Sequence, residues 1–202
     1  MTSDLASRIA VLPAQHALFW LWGVWYASWL LSLFWAGKTA VRPKMWAHGL
    51  YQFVTMISLA LLFGVPAWIG APYRLWTTDE RTGWILFGLT AACFAFAWWA
   101  RLTMGRLWSG YVGRSENHRI VDSGPFAIVR HPIYSAIIAA AFLLALDLGT
   151  VPALAGAGMF ALAFWLKARL EESFLRQELG PEAYDSYRRR VPMLLPFGPK
   201  SA

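Results

Sequence analysis

The stretch VDSGPFAIVRHPIY, residues 121–134, decides how the rest of the chain is read. It places a Gly124-Pro125 turn, the Arg130-His131 pair, Pro132 and Tyr134 between a polar connection and an apolar run. Proline suits the first turn of a helix, so the segment reads as the polar entry of a membrane helix beginning at Pro132. One helical hairpin later comes a second polar cluster, KARLEE, residues 167–172. The two clusters are expected to meet at one membrane face, with the remaining chain holding them in the bilayer.

Moving outward, the chain is apolar on both sides. Of its 202 residues 58% are hydrophobic and 13 are Trp, against about 45–50% apolar in soluble domains. Apolar runs at 17–36, 49–71, 83–100, 133–148 and 152–179 predict an all-α polytopic bundle of about five transmembrane helices. A C-terminal extension would complete the site on the cytosolic side. The whole chain, 1–202, reads as one membrane domain: three spans in 1–100, then a half, 101–202, that carries the connection, the hairpin and the tail. The run 133–148 is short for a span, which leaves a re-entrant hairpin open. Gly64 and Pro66 are placed to kink the second span, Arg101 to snorkel to headgroups, and Trp25 and Trp29 are too central to be interfacial anchors. Small residues (Ala136, Ala139, Ala140, Ala141, Ala153, Ala155, Gly156, Gly158) suit close helix approach in the hairpin. No cleavable signal pattern is expected in residues 1–38.

The net charge of +7 is explained by orientation rather than by nucleic acid. Counted by alternate loops, 15 Lys and Arg fall on one side and 3 on the other. The richer side, with the connection and the C-terminus, is expected in the cytosol and the N-terminus outside. The single Cys93 lies in an apolar run and supplies neither an intrachain disulfide nor a multi-cysteine zinc site. No metal pattern, phosphate loop or nucleophile elbow stands out.

His118, Arg130, His131, Tyr134, Lys167, Arg169, Glu171 and Glu172 are placed to converge. Fixed cations, carboxylates and an aromatic ring beside lipid suit transfer of a small group from a polar cofactor to an amphipathic acceptor. Methyl transfer fits, since in-line displacement asks mainly for positioning and exclusion of water. An arginine would orient an acceptor carboxylate through its planar fork. Plainer readings stand beside these. Arg130 also suits a headgroup anchor, Glu172 and Arg176 a surface i, i+4 pair, and Arg188, Arg189 and Arg190 contact with anionic lipid.

At these residues the chain resembles the isoprenylcysteine carboxyl methyltransferase family, with its bacterial members. The likeness spans about 101–197. It rests on Glu116 to Val121, Ser123 to Phe126, Arg130 to Tyr134, Glu171-Glu172, Tyr184 and Tyr187, and Arg190-Val191-Pro192. The resemblance implies an integral enzyme of a bacterial inner membrane that uses S-adenosyl-L-methionine. The cofactor would be held by His118, Arg119, Ile120, Val121, Phe126, His131, Pro132, Ile133, Tyr134, Glu171 and Glu172. Catalytic roles on the acceptor side fall to Arg130, Lys167 and Arg169, with Lys167 where the family has arginine. Phe126 stands where tyrosine is usual, and one extra residue lies between Gly180 and Tyr184. The implied partners are a lipophilic small molecule or lipidated acceptor and membrane lipids. Carboxyl O-methylation is favoured. A phospholipid-amine N-methyltransferase, an NADPH-dependent membrane reductase and a non-catalytic ligand binder are the alternatives.

Overall fold

The computed structural model describes residues 13–35, 45–64, 73–105 and 120–200. Among these the architecture is helical. Helix α1 (Pro13–Leu31) runs on into a 3-10 turn, Ser32–Trp35, and α2 (Met45–Leu59) into a π turn, Ala60–Gly64. Then come α3 (Glu80–Met104), the short α4 (Pro125–Ile128), α5 (Pro132–Leu148), α6 (Val151–Leu179) and α7 (Pro181–Arg190). By length and composition α1, α3 and α6 can cross a membrane, and α2 and α5 supply two shorter apolar helices. The helix bundle expected from the five apolar runs is therefore present. The 17 residues of α5 reach only about 26 Å. Gly64 closes the π turn, and Pro66 lies outside the described residues.

Trp22, Trp25 and Trp29 of α1 tie it to α3, whereas Trp20 is exposed. Trp25 stacks on Phe94 with ring centroids 4.6 Å apart, and Trp22 meets the same ring edge-on at 4.9 Å. Trp29 packs edge-on against Trp98. Large offset rings bury much area with few rotors, which suits a bundle whose outer face is itself apolar.

The other major interfaces are α3 with α5, α2 with α6, and α5 with α6. Ala136, Ala140 and Ala141 of α5 and Ala153 of α6 are buried, as the small-residue pattern requires. Gly156 serves a different neighbour. A Cβ there would stand 3.0 Å from the Ser58 carbonyl oxygen, so this glycine admits α2 rather than α5. Ala139, Ala155 and Gly158 are exposed and take no part in the hairpin contact.

The α5–α6 turn is tight for a definite reason. Gly149 adopts φ 61°, and a Cβ there would lie 2.3 Å from the Trp76 carbonyl oxygen. Thr150 then caps α6, its hydroxyl accepting from the Ala153 N–H at 3.3 Å. At the opposite end, Arg101 departs from expectation. It does not snorkel: it is fully buried and donates to the Ser32 carbonyl (3.0 Å) and the Gly105 carbonyl (2.6 Å). The guanidinium thereby fills acceptors that two helix ends leave open.

Candidate functional site

The site grows from the entry of α5. Gly124 takes φ 58°, a value that glycine adopts without strain, and turns the chain into α4. Val129 to His131 then lead into Pro132 at the first helical position. His131 occupies the N-cap position but makes no side-chain cap. Its imidazole points instead to α6, where Lys167, Glu171 and Glu172 lie within two turns of one another.

Glu172 is the anchor. Its Oε1 accepts from Arg130 Nε at 2.7 Å and lies 3.2 Å from His131 Nε2. Its Oε2 faces Arg188 Nε at 3.6 Å. The Arg130 and Glu172 side chains are only 1% and 7% exposed, so this is a buried pair. A buried pair holds only if its remaining donors are also met. Arg130 meets that condition by donating through Nη1 to the Arg188 carbonyl at 3.0 Å and to the Val191 carbonyl. The expected Glu172–Arg176 surface pair does not form. Arg176 instead donates to Asp185 on α7, at 2.9–3.0 Å.

Glu171 is different in kind. It is about a quarter exposed; its Oε2 accepts from the Tyr134 hydroxyl at 2.8 Å and lies 3.6 Å from His131 Nδ1. Each His131 ring nitrogen thus faces one of two adjacent carboxylates. The imidazole also stacks on Tyr134, centroids 5.3 Å apart and planes 3° from parallel. The Lys167 ammonium stands 5.1 Å from the Tyr134 ring, 5.6 Å from Tyr51 and 5.8 Å from Phe164.

The C-terminal tail closes the cluster from the other side. The Arg130 N–H donates to the Pro192 carbonyl at 2.9 Å and the His131 N–H to the Met193 carbonyl at 3.1 Å. Ser135 reaches the Leu194 carbonyl. The Tyr187 hydroxyl donates to the Phe126 carbonyl at 2.7 Å. Burial pushes the Tyr184 and Tyr187 phenols well above their ordinary value, so both stay neutral. The tail, expected to complete the site, is built into its wall.

Arg130, His131, Tyr134, Lys167, Glu171 and Glu172 therefore come together. Phe126 and Ile133 belong to a small apolar core with Ala100, and Val121 packs on it. Pro132 is fully buried at the helix entry. Ile120 packs against Tyr184, Tyr187 and Val191. Arg169 stands on the exposed side of α6 over the Trp165 ring, 5.8 Å away. His118 and Arg119 lie outside the described residues. Tyr51 was missed by sequence reasoning, as an aromatic in an apolar run with no local signal. Arg188 was read only as part of a basic run.

The fold and site define a class: a bundle with helices of membrane-spanning length, carrying a half-open ionic and aromatic cluster at one end. Residues 84–177, from α3 through most of α6, match the isoprenylcysteine carboxyl methyltransferase (ICMT) family. Two curated relatives are similar over 149 residues, 71% of this chain. One is the cobalt-zinc-cadmium resistance protein CzcN of Cupriavidus metallidurans, 32% identical over 60% of its length. The other is the nickel-cobalt-cadmium resistance protein NccN of Alcaligenes xylosoxydans xylosoxydans, 28% identical over 61% of its length. The chain thus spans about three-fifths of the relatives it matches.

Proposed function

We propose that this chain is an S-adenosyl-L-methionine-dependent methyltransferase of the membrane, acting on a lipophilic acceptor. The observation that carries the reading is Glu171. Its carboxylate is half-open, oriented by the Tyr134 hydroxyl and walled by the His131 and Tyr134 rings. That donor and acceptor set fits a nucleoside bearing an amino-acid end. The carboxylate suits an ammonium or ribose hydroxyls, and the rings suit a flat base. When bound, the cofactor supplies an electrophilic methyl group. Glu171, His131 and Tyr134 bind and orient; Pro132, Ile133 and Phe126 fix the helix entry behind them. Arg130 and Glu172 act as positioning residues, since their charges are spent on each other and on the tail. Ile120 and Val121, with His118 and Arg119, are proposed as further cofactor contacts on the resemblance of their motif.

Carboxyl O-methylation takes precedence through the family, with Lys167 as the cation beside the acceptor. One observation favours phospholipid-amine N-methylation as the second reading. Arg130 is engaged by Glu172 and Arg169 faces outward, so among the described residues no arginine fork is presented at the ring cluster. Arg169 would meet an acceptor only from the exposed side of α6. The basic asymmetry supports placing the site on the cytosolic face of a bacterial inner membrane.

Calorimetric titration of the detergent-purified protein with S-adenosylhomocysteine, with NADPH in parallel, tests the reading. Saturable binding of the first alone is expected, and His131→Ala and Glu171→Ala should lose it while still inserting in the membrane. Binding of NADPH alone would move the assignment to a reductase. A screen of carboxylate and amine lipids with labelled methyl donor then separates the two acceptor classes.

A further inference from the structure

Three helices contribute the rings around the Lys167 ammonium: Tyr51 from α2, Tyr134 from α5 and Phe164 from α6. Phe164 is an i−3 neighbour on the same helix and follows from local geometry, but Tyr51 and Tyr134 are brought there by tertiary packing. Aromatic faces carry negative potential and attract a cation within about 6 Å of the centroid, more strongly where water is excluded. Tyr51 is buried at 7% exposure. Glu171, one helical turn beyond Lys167, adds a carboxylate on the same side and accepts from Tyr134. Rings from separate helices plus one carboxylate make a box selective for positive charge, of the kind that holds quaternary ammonium ligands.

Resting on the methyltransferase reading, we infer that this box is the seat of the donor's sulfonium charge, and that Lys167 occupies it as a tethered stand-in cation. The two charges compete for one seat, because like charges in a low-dielectric pocket repel. Lys167 must leave when the charged donor binds and returns when the neutral thioether product remains. Its four-carbon stem allows that swing without moving α6. The resting and product-bound states thus already have their cation, and the ammonium is freed for an acceptor carboxylate only after the donor is seated. Tyr51 thereby becomes a binding residue from the half of the chain that the family match does not reach.

Affinities of the full-length protein for S-adenosylmethionine and S-adenosylhomocysteine, measured by calorimetry in lipid nanodiscs, test this. The two ligands differ at the sulfur in charge and one methyl group. Lys167→Met, which keeps the stem and removes the charge, should raise the S-adenosylmethionine-to-S-adenosylhomocysteine affinity ratio about tenfold. Lys167→Arg should leave the ratio near that of the wild type. Tyr51→Leu should lower the ratio about threefold or more while S-adenosylhomocysteine binding persists. An unchanged ratio in Lys167→Met, with both ligands bound, overturns the seat and leaves the methyltransferase reading standing. If Lys167→Met does not fold, an unchanged ratio in Tyr51→Leu overturns it equally. Binding of neither ligand by the wild type overturns the methyltransferase reading and this inference together.

Discussion

The two ends of the bundle are both closed by polar contacts, yet by different chemistry. At the end away from the site, neutral donors meet backbone acceptors. Trp76 Nε1 donates to the Leu146 carbonyl at 2.8 Å, Thr78 to the Asp147 carbonyl at 2.9 Å, and the Leu75 N–H to the Gly149 carbonyl at 2.7 Å. Asp147, although buried, is met there by the Gln15 amide at 3.0 Å. At the site end, side chains converge on two carboxylates: Arg130 and His131 on Glu172, His131 and Tyr134 on Glu171. Neutral contacts to backbone hold a turn at little cost in desolvation. Buried charges stabilise only as a complete set, and they leave a strong local field. One end is built to stay shut, the other to hold a polar ligand. Within the site end the same contrast recurs between Glu172, buried and fully engaged, and Glu171, partly open.

Four changes would break or sharpen this comparison, taken from the largest expected loss of stability to the smallest. Arg130→Met strips Glu172 of its main partner and leaves the Val191 and Arg188 carbonyls without a donor. A loss of about 3–5 kcal/mol is expected, read as a lower melting temperature in detergent. A near-neutral result would mean that the ionic set does not hold the tail. Gly149→Ala tests the neutral end. It forces a side chain to φ 61° and places a Cβ 2.3 Å from the Trp76 carbonyl oxygen. It should cost about 2–4 kcal/mol without changing nucleoside affinity in the surviving folded fraction.

Glu171→Gln keeps an acceptor for Tyr134 and should cost about 1 kcal/mol or less in stability, while weakening S-adenosylhomocysteine binding about ten- to hundredfold. Equal effects on stability and on binding would erase the distinction between the two glutamates. The smallest effect is expected at Arg176→Ala, because the Arg176 side chain is about half exposed where it meets Asp185. A hydrogen bond from Arg176 holds the Asp185 carboxyl below its ordinary value of 3.8. A carboxyl depressed in the folded state contributes above its unfolded value, and the contribution fades as pH falls through the lower folded value. Melting curves of wild type and Arg176→Ala should therefore nearly coincide at neutral pH and merge at acid pH. A large gap at neutral pH would show that α7 is docked by this pair rather than by the Tyr184, Tyr187 and Val191 core.

Much of this protein was legible in its sequence because bilayer burial is recorded residue by residue. Helix length and apolarity are local, and so are Pro132 at a helix start, Gly149 at a turn and the Gly180-Pro181 break. The Arg-His-Pro-Ile-Tyr and Glu-Glu spacings marked the two clusters, and the structure brings them within hydrogen-bonding distance. What local pattern could not decide was which of two adjacent identical residues would be engaged. Glu171 and Glu172 differ by one 100° step around α6, and only the position of α5 and the tail makes one an anchor and the other an open acceptor. Nor could spacing reveal that Arg101 would turn inward to carbonyls, that Arg169 would face out, or that Tyr51 would arrive beside Lys167 from α2. Those outcomes depend on contacts between helices far apart in the chain. Sequence alone determined that polar residues would gather at one end of an apolar bundle; tertiary packing decided which charges pair, because pairing follows distance in space and not along the chain.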